Sequence, residues 1–526
     1  MHGEPPFDDN KHDPSTTCDG NGAAVKESQK LAIDDGGDTA NNQNGRCMLS
    51  LDGNNEAAGI NYGGVARGAL NMSNVYLANS LIHLACKAGG GFSPDGNTCV
   101  NPDVMVYGMK PAALVTNIAV AASVLSSLFM PLFGAIIDYT PHRKWVGVGT
   151  AAMLIIITVI QIYTVESTWF AMAILQAIIY MFYHVQVMTL FAYYPEVAVD
   201  VGQNRANSYI STWSFWQFFS QCVVNLVILV ASAVGKLGTV RTAWVSQGVV
   251  ASVSIVCFSM CWWKLPHRPH KHALPKGHSL LLAGFKQNFR TFGKLITHYK
   301  RSLRLFLLST IFGEAAASSV GTTAVVFLNG NLGLSAFKIG VFFEMSLVGV
   351  VVGTKCGSWI TLKLDPIKSC ILSELGLFIT VGCAVWAVQD VRVDELSYIW
   401  GFSIGFFLGW FYPAENVIYS MCVPKNQEAE LSGFFAWASQ IMAWFPPLVF
   451  SIMVQSGVSL AWGLTVMGSI FIISCFFLLL CPSWDEVLEE SRTVVVDFAP
   501  DFADENDDAA ESEAVVGTTE NMETDI

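Results

Sequence analysis

The chain has 526 residues, 52% of them hydrophobic and only 13% charged, with a formal net charge of −13. That composition leaves too little polar surface to coat one water-soluble globule or several, so it calls for lipid as solvent. Much of the acidic excess sits in residues 1–59 and 482–526, which are rich in Asp, Glu, Gly, Asn and Ser and read as solvated, disordered tails.

The amino end lacks the basic-then-apolar layout of a cleaved signal peptide, so the first span is expected to direct insertion. A helix crossing hydrocarbon needs roughly 20 mainly apolar residues, because each backbone group must be satisfied inside the span. Eleven stretches meet this readily, at about 111–137, 145–164, 169–194, 208–234, 243–263, 303–329, 335–362, 369–389, 397–421, 431–456 and 458–481. A twelfth, near 68–88, is weaker because it carries Asn71, Asn74, Asn79, Ser80 and His83, which places it in the protein interior. The expected architecture is an all-α membrane protein of twelve transmembrane helices in two six-helix halves, 60–263 and 303–481.

Between the halves, 264–302 carries Lys264, Arg268, Lys271, Lys276, Lys286, Arg290, Lys294, Lys300 and Arg301, which the positive-inside rule assigns to the cytosol. Both tails then lie in the cytosol as well. This basic linker reads as a segment resting on anionic lipid headgroups. Its His267, His270, His272 and His278 lack nearby cysteine or carboxylate, so no metal site is expected. Most of the thirteen cysteines are scattered singly in apolar runs as ordinary small hydrophobes; Cys86 and Cys99 alone flank one short loop, where a bridge forms if that loop faces an oxidising compartment.

After the second span comes Gly134-Ala-Ile-Ile-Asp138-Tyr-Thr-Pro141-His142-Arg143-Lys144. Gly134 permits close helix approach, and Asp138 stands at a helix carboxyl end, where the macrodipole disfavours an anion, so it needs a cation such as Arg143 or Lys144. The stretch resembles the signature loop of the major facilitator superfamily, whose charge cluster closes the cytoplasmic side. The resemblance implies that gating role for Asp138, Arg143 and Lys144, with a looser counterpart in the second half at Gly357, Asp365, Pro366 and Lys368.

Several segments together are similar to the autophagy-related protein 22 family, the vacuolar-effluxer branch of that superfamily. Ala78-Asn79-Ser80 resembles its Trp-Ala-Asn-Ser, and Pro195-Glu196-Val197-Ala198 its Leu-Pro-Glu-Leu-Ala. Over 405–457, Gly409, Pro424, Glu428-Ala429-Glu430, Gly433-Phe434-Phe435-Ala436, Pro447 and Gln455 fall in the family's order and spacing. The resemblance implies export of amino acids from a vacuole or lysosome, with the plasma membrane left open as an alternative host. Three departures stand against simple inheritance of that substrate: Tyr76 where the family tends to have Asp, Asn416 for Arg, and Gln440 for Lys.

A charge at mid-bilayer costs about 3 kcal/mol or more, so intramembrane polar groups are the candidate site. Glu314 leads, beside Ala315-Ala-Ala-Ser-Ser and Gly321-Thr-Thr, a small-residue face with room for water or solute next to a carboxylate that could carry a coupling proton. Glu415 and Asn416 follow Pro413, a residue that frees a backbone carbonyl one turn earlier. His83 and His184 are candidate proton relays. Asn79 and Gln440 can donate and accept toward a polar neutral solute. Aromatics including Trp213, Trp410 and Tyr412 could stack on it, and Glu344, Lys355 and Glu374 read as packing residues.

No nucleotide-binding glycine loop, zinc spacing or nucleophile constellation occurs in any soluble stretch, so no enzyme, cofactor or nucleic-acid partner is expected. The leading expectation is a monomeric secondary or facilitative transporter of a small polar solute, by alternating access and with a proton as the candidate coupling ion. The competing one is a nutrient receptor that keeps the bundle without transporting.

Overall fold

Runs of apolar residues bounded by Pro, Gly, Asn and Ser set the helices. The computed structural model describes residues 54–92, 99, 101, 103–194, 196–197, 203–268, 279–297, 299–391, 394–422 and 428–493. Helix α1 (Asn55–Ala88) starts where the Asn54 side chain accepts a hydrogen bond from the Glu56 amide at 2.8 Å. Helix α2 (Pro111–Tyr139) opens on proline at its first position, where the missing N–H costs nothing. Then follow α3 (Arg143–Gln161), α4 (Trp169–Phe191), α5 (Gln203–Gly235) and α6 (Thr239–Lys264).

A linker helix, α7 (Leu280–Thr297), precedes the second half: α8 (Arg301–Gly330), α9 (Ala336–Lys363), α10 (Pro366–Leu377), a π-helical turn (Phe378–Cys383), α11 (Ala384–Val391), α12 (Asp394–Cys422), α13 (Glu428–Ile441), α14 (Phe445–Gln455), α15 (Leu460–Leu479) and α16 (Trp484–Thr493). The π turn leaves carbonyls without their usual helical partners, and side chains supply donors: the Trp400 indole to Thr380 at 2.7 Å and the Thr465 hydroxyl to Gly382 at 2.8 Å.

Among the described residues, ten helical stretches are long and apolar enough to cross a membrane. The two further long helices, α1 and α12, fall short of that apolar level, and the reading of twelve spans counts them too. Three boundaries differ from those expected. The first helix begins at Asn55 rather than near 68, so Arg67 lies inside it. The linker is helical over Leu280–Thr297. The carboxyl-terminal tail starts as α16, whose Val487 is buried and whose Glu490 accepts from the Ser302 amide at 3.2 Å. Residues 1–53 and 494–526, and His270, His272 and His278, lie outside the described residues.

Helices in lipid gain nothing from burying apolar surface against each other, so small residues that bring backbones together carry the packing. Helices α9 and α12 meet along two matching glycine rows, Gly349, Gly353 and Gly357 against Gly401, Gly405 and Gly409. A Cβ at Gly353 would lie 1.9 Å from the Phe406 carbonyl oxygen, and one at Gly405 would lie 1.8 Å from that of Ser346. Helix α1 is set into the first half the same way: a Cβ at Gly68 would meet the Gln217 carbonyl of α5 at 2.1 Å.

Replacing Gly405 with Ala should therefore destabilise the protein by about 2 kcal/mol or more, since backbone, not a flexible side chain, must move. Thermal unfolding of the detergent-purified protein will show a lower midpoint. Gly248→Ala on α6, where an added Cβ meets nothing within 4 Å, is the control expected to leave the midpoint unchanged.

Candidate functional site

One cation inside the helical bundle is a residue that sequence reading passed over. Arg67 stands twelve residues into α1, about 18 Å along it. Gly64 and Gly68 bring that helix so close to α5 that the long side chain is directed between rings. Its Nε donates to the Tyr183 hydroxyl at 2.6 Å, and the guanidinium lies 5.0 Å from the Tyr183 ring centroid and 5.1 Å from that of Trp213. Both contacts stabilise a desolvated cation. The His184 ring packs edge-on to Tyr183 at 5.4 Å.

From the second half, α8 presents Glu314 and α12 presents Glu415 and Tyr412. The two carboxyl groups lie within hydrogen-bonding reach of each other, and Arg67 is near enough to act on Glu314 and on the Tyr412 phenol. Two bare carboxylates in such contact would repel each other. Glu415 is buried, whereas Arg67, His184, Glu314 and Tyr412 stay partly accessible although they sit far from the helix ends. Ser318, Gly321 and Thr322 continue the accessible polar face of α8, and a Cβ at Gly321 would meet nothing within 4 Å. These residues lie where the two halves face each other.

Four of the expected site residues, His184, Glu314, Tyr412 and Glu415, are thus brought together around Arg67. Asn416 is exposed one turn past Tyr412 on the same face. Three others lie elsewhere. Asn79 is hydrogen-bonded to Asn329, His83 packs edge-on to Phe92 at 4.7 Å, and Gln440 accepts through its backbone carbonyl from the Ser127 hydroxyl at 3.0 Å. His83 is sixteen residues beyond Arg67 on α1, about 24 Å away along the axis.

The Asn79 contact belongs to a belt of hydrogen bonds between the halves near the end of the bundle that carries the Cys86–Cys99 disulfide, which forms as the sequence allowed. The Tyr76 hydroxyl donates to Asn225 Oδ1 at 2.5 Å, and Asn225 Nδ2 donates to Glu344 at 2.8 Å and to the Gly340 carbonyl at 3.0 Å. The Ser451 hydroxyl donates to Asn117 at 2.6 Å. Glu344 therefore joins α1 and α5 to α9. Glu374, in contrast, is held inside the second half by the Ser474 hydroxyl at 2.6 Å and the Cys475 thiol at 3.1 Å.

At the opposite end the loop after α2 is wired differently from expectation. Arg143, 1% exposed, donates to Glu196 at 2.7 Å and stands over the Tyr193 ring, so its counter-charge is Glu196, not Asp138. Lys144 donates to the Leu265 carbonyl at 2.6 Å. Arg268 holds Glu56 through both carboxylate oxygens at 2.8 Å and approaches Glu196 at 3.2 Å, which joins the starts of α1 and α3 to the ends of α4 and α6. Burial pushes the Tyr193 phenol up to about 12, so it stays neutral and donates to the Pro266 carbonyl at 3.2 Å.

Asp138 is half-buried in the last turn of α2, and Asp365 pairs with Lys368 at 2.5 Å at the start of α10. Gly134 makes no close helix approach: a Cβ there would meet only Met188 Sδ at 3.9 Å. The tight contact on α2 falls at Pro131, whose carbonyl is 1.9 Å from where a Cβ of Gly284 in α7 would stand.

Two helical halves joined by a cytosol-type linker, with ionisable groups facing each other between them, define an α-helical membrane protein of the major facilitator fold. The chain belongs to the family described as "Vacuole effluxer Atg22 like", which matches residues 37–484. No curated protein sequence matches the chain. Among solved structures it is similar to the inward-open xylose transporter XylE from E. coli (TM-score 0.57, 15% identity, 83% of this chain and 98% of that one). It is also similar to the nucleoside transporter NupG (TM-score 0.51, 13% identity, 81% and 98%). The human organic anion transporter MFSD10 gives a TM-score of 0.52 at 14% identity, over 81% of this chain and 99% of that one.

Removing Glu196 as Glu196→Ala should cost about 3 kcal/mol, because Arg143 stays buried without its counter-charge. The unfolding midpoint should fall accordingly. Combining Arg143→Met with Glu196→Leu should restore most of the loss; a double variant no better than the single one would show that the pair is not what Glu196 supplies.

Proposed function

We propose that this protein is a secondary carrier that moves a small polar solute across its membrane by alternating access, with its coupling proton shared by Glu314 and Glu415. The observation that carries the reading is the meeting of that carboxyl pair, on the second half, with Arg67 on the first. Solute entering between the halves competes for these charges, and the shared proton sets how much negative charge the pair presents. Charges of both signs in one space suit a zwitterion, with Arg67 taking a carboxylate and the Glu pair an ammonium group. An amino acid is the substrate class that fits, and the family's description as a vacuole effluxer supports export from that compartment.

The disulfide-bearing end then faces the oxidising lumen or exterior, and the basic linker with both tails faces the cytosol. On this reading Asp138, with the loop containing Arg143 and Lys144, belongs to the cytosolic gate, and Asp365 and Lys368 are its partners in the second half. The chain acts as a monomer and needs no cofactor, since each half contributes charged groups to the space between them.

Glu314→Gln in proteoliposomes should abolish uptake driven by a pH gradient, because an amide cannot release a proton, while exchange of labelled amino acid between equal pools survives. Gradient-driven uptake at the wild-type rate would remove the coupling role, and binding without flux in the wild-type protein would point to a receptor instead. Asp138→Ala should slow both assays several-fold while leaving the unfolding midpoint in place; unchanged rates would take Asp138 out of the gate.

A further inference from the structure

Helix α7 divides its circumference into three arcs. At about 100° per residue, Gly284, Gln287, Asn288, Thr291 and Leu295 share one side. That side is the one packed on the bundle: Gly284 sits against the Pro131 carbonyl and the Ala135 methyl group of α2, Gln287 meets Tyr139, and Leu295 is buried.

Leu282, Phe289, Phe292 and Ile296 fall within an arc of about 80° on another side, and they are 67%, 68%, 45% and 51% exposed. Lys286, Arg290 and Lys294 occupy the third arc, between the other two. A helix floating in the cytosol would not keep two phenylalanines, a leucine and an isoleucine in one exposed stripe.

The helix on which α7 rests exposes apolar side chains of its own. Val124, Leu128 and Phe129 are exposed on α2 just beside the Pro131 contact, on a helix apolar enough to span a membrane. The basic arc is the complement of a negatively charged surface, and Lys300 with Arg301 prolongs it to the start of α8.

We infer that α7 is an interfacial helix that sinks Leu282, Phe289, Phe292 and Ile296 into the cytosolic leaflet and takes anionic phospholipid headgroups on its basic arc. Its occupant is the bilayer itself, and specifically phosphate- or carboxylate-bearing headgroups within that leaflet. Because α7 rests on α2 of the first half and runs directly into α8 of the second, a leaflet that holds it also restrains how far those two helices separate. The inference does not depend on which solute is carried, or on whether any is.

The full-length protein in nanodiscs tests it by hydrogen exchange of the amides in 280–297, in phosphatidylcholine alone and with phosphatidylserine added. Anionic lipid should slow exchange by about fivefold or more. The triple variant K286Q/R290Q/K294Q should lose that increment while keeping its phosphatidylcholine rate, and F289S/F292S should exchange faster in both bilayers. Soluble glycerol phosphate added to phosphatidylcholine discs should leave the rate unchanged. Exchange that is indifferent to phosphatidylserine in the wild-type protein, an increment that survives the triple substitution, or an equal effect of glycerol phosphate would each overturn the assignment. The wild-type comparison stands even if a variant fails to fold.

Discussion

A guanidinium roughly 18 Å along a membrane helix has to be answered by the rest of the molecule, because hydrocarbon offers it neither water nor counter-ion. Arg67 is answered by two aromatic faces, one phenol and, across the gap between the halves, the Glu314–Glu415 pair. This requirement places Gly64 and Gly68 beside α5, since only a close approach of α1 carries Arg67 in among the rings. It also sets the opposing carboxyl pair against Arg67, where the cation offsets negative charge on Glu314.

Much of the architecture is legible from composition and pattern. The apolar runs and the basic linker both follow from patterns that a single chain displays. The first helix is expected too late in the chain, since it begins at Asn55 rather than near 68. Arg67 falls just outside the span expected near 68–88. Its signal is the small-residue stretch on both sides of it, Gly63-Gly64-Val65-Ala66 and Gly68-Ala69, which is membrane-helix sequence and not a soluble flank.

Pairings across long separations are not legible. Asp138 is five residues from Arg143, and local reasoning matches them, yet Glu196, fifty-three residues on, makes the bond because α3 and α4 are neighbours in space. The linker helix shows the opposite error. Its charges drew the reading, while the spacing of Leu282, Phe289, Phe292 and Ile296 already described an amphipathic helix.

The two ends of the bundle are held by different chemistry, and the difference fits the proposed cycle. The ion network of Glu56, Arg143, Glu196 and Arg268, at the end opposite the disulfide, closes on the first half and the linker root, so motion between halves need not break it. It can keep four helices together as a rigid unit. The belt at the disulfide end joins the halves through Tyr76, Asn79, Asn117, Asn225, Asn329, Glu344 and Ser451. Each such bond is worth on the order of 1 kcal/mol net, because water replaces it when it opens. A few bonds of that size hold a state firmly enough to populate it, yet within the few kcal/mol that solute or a proton can shift.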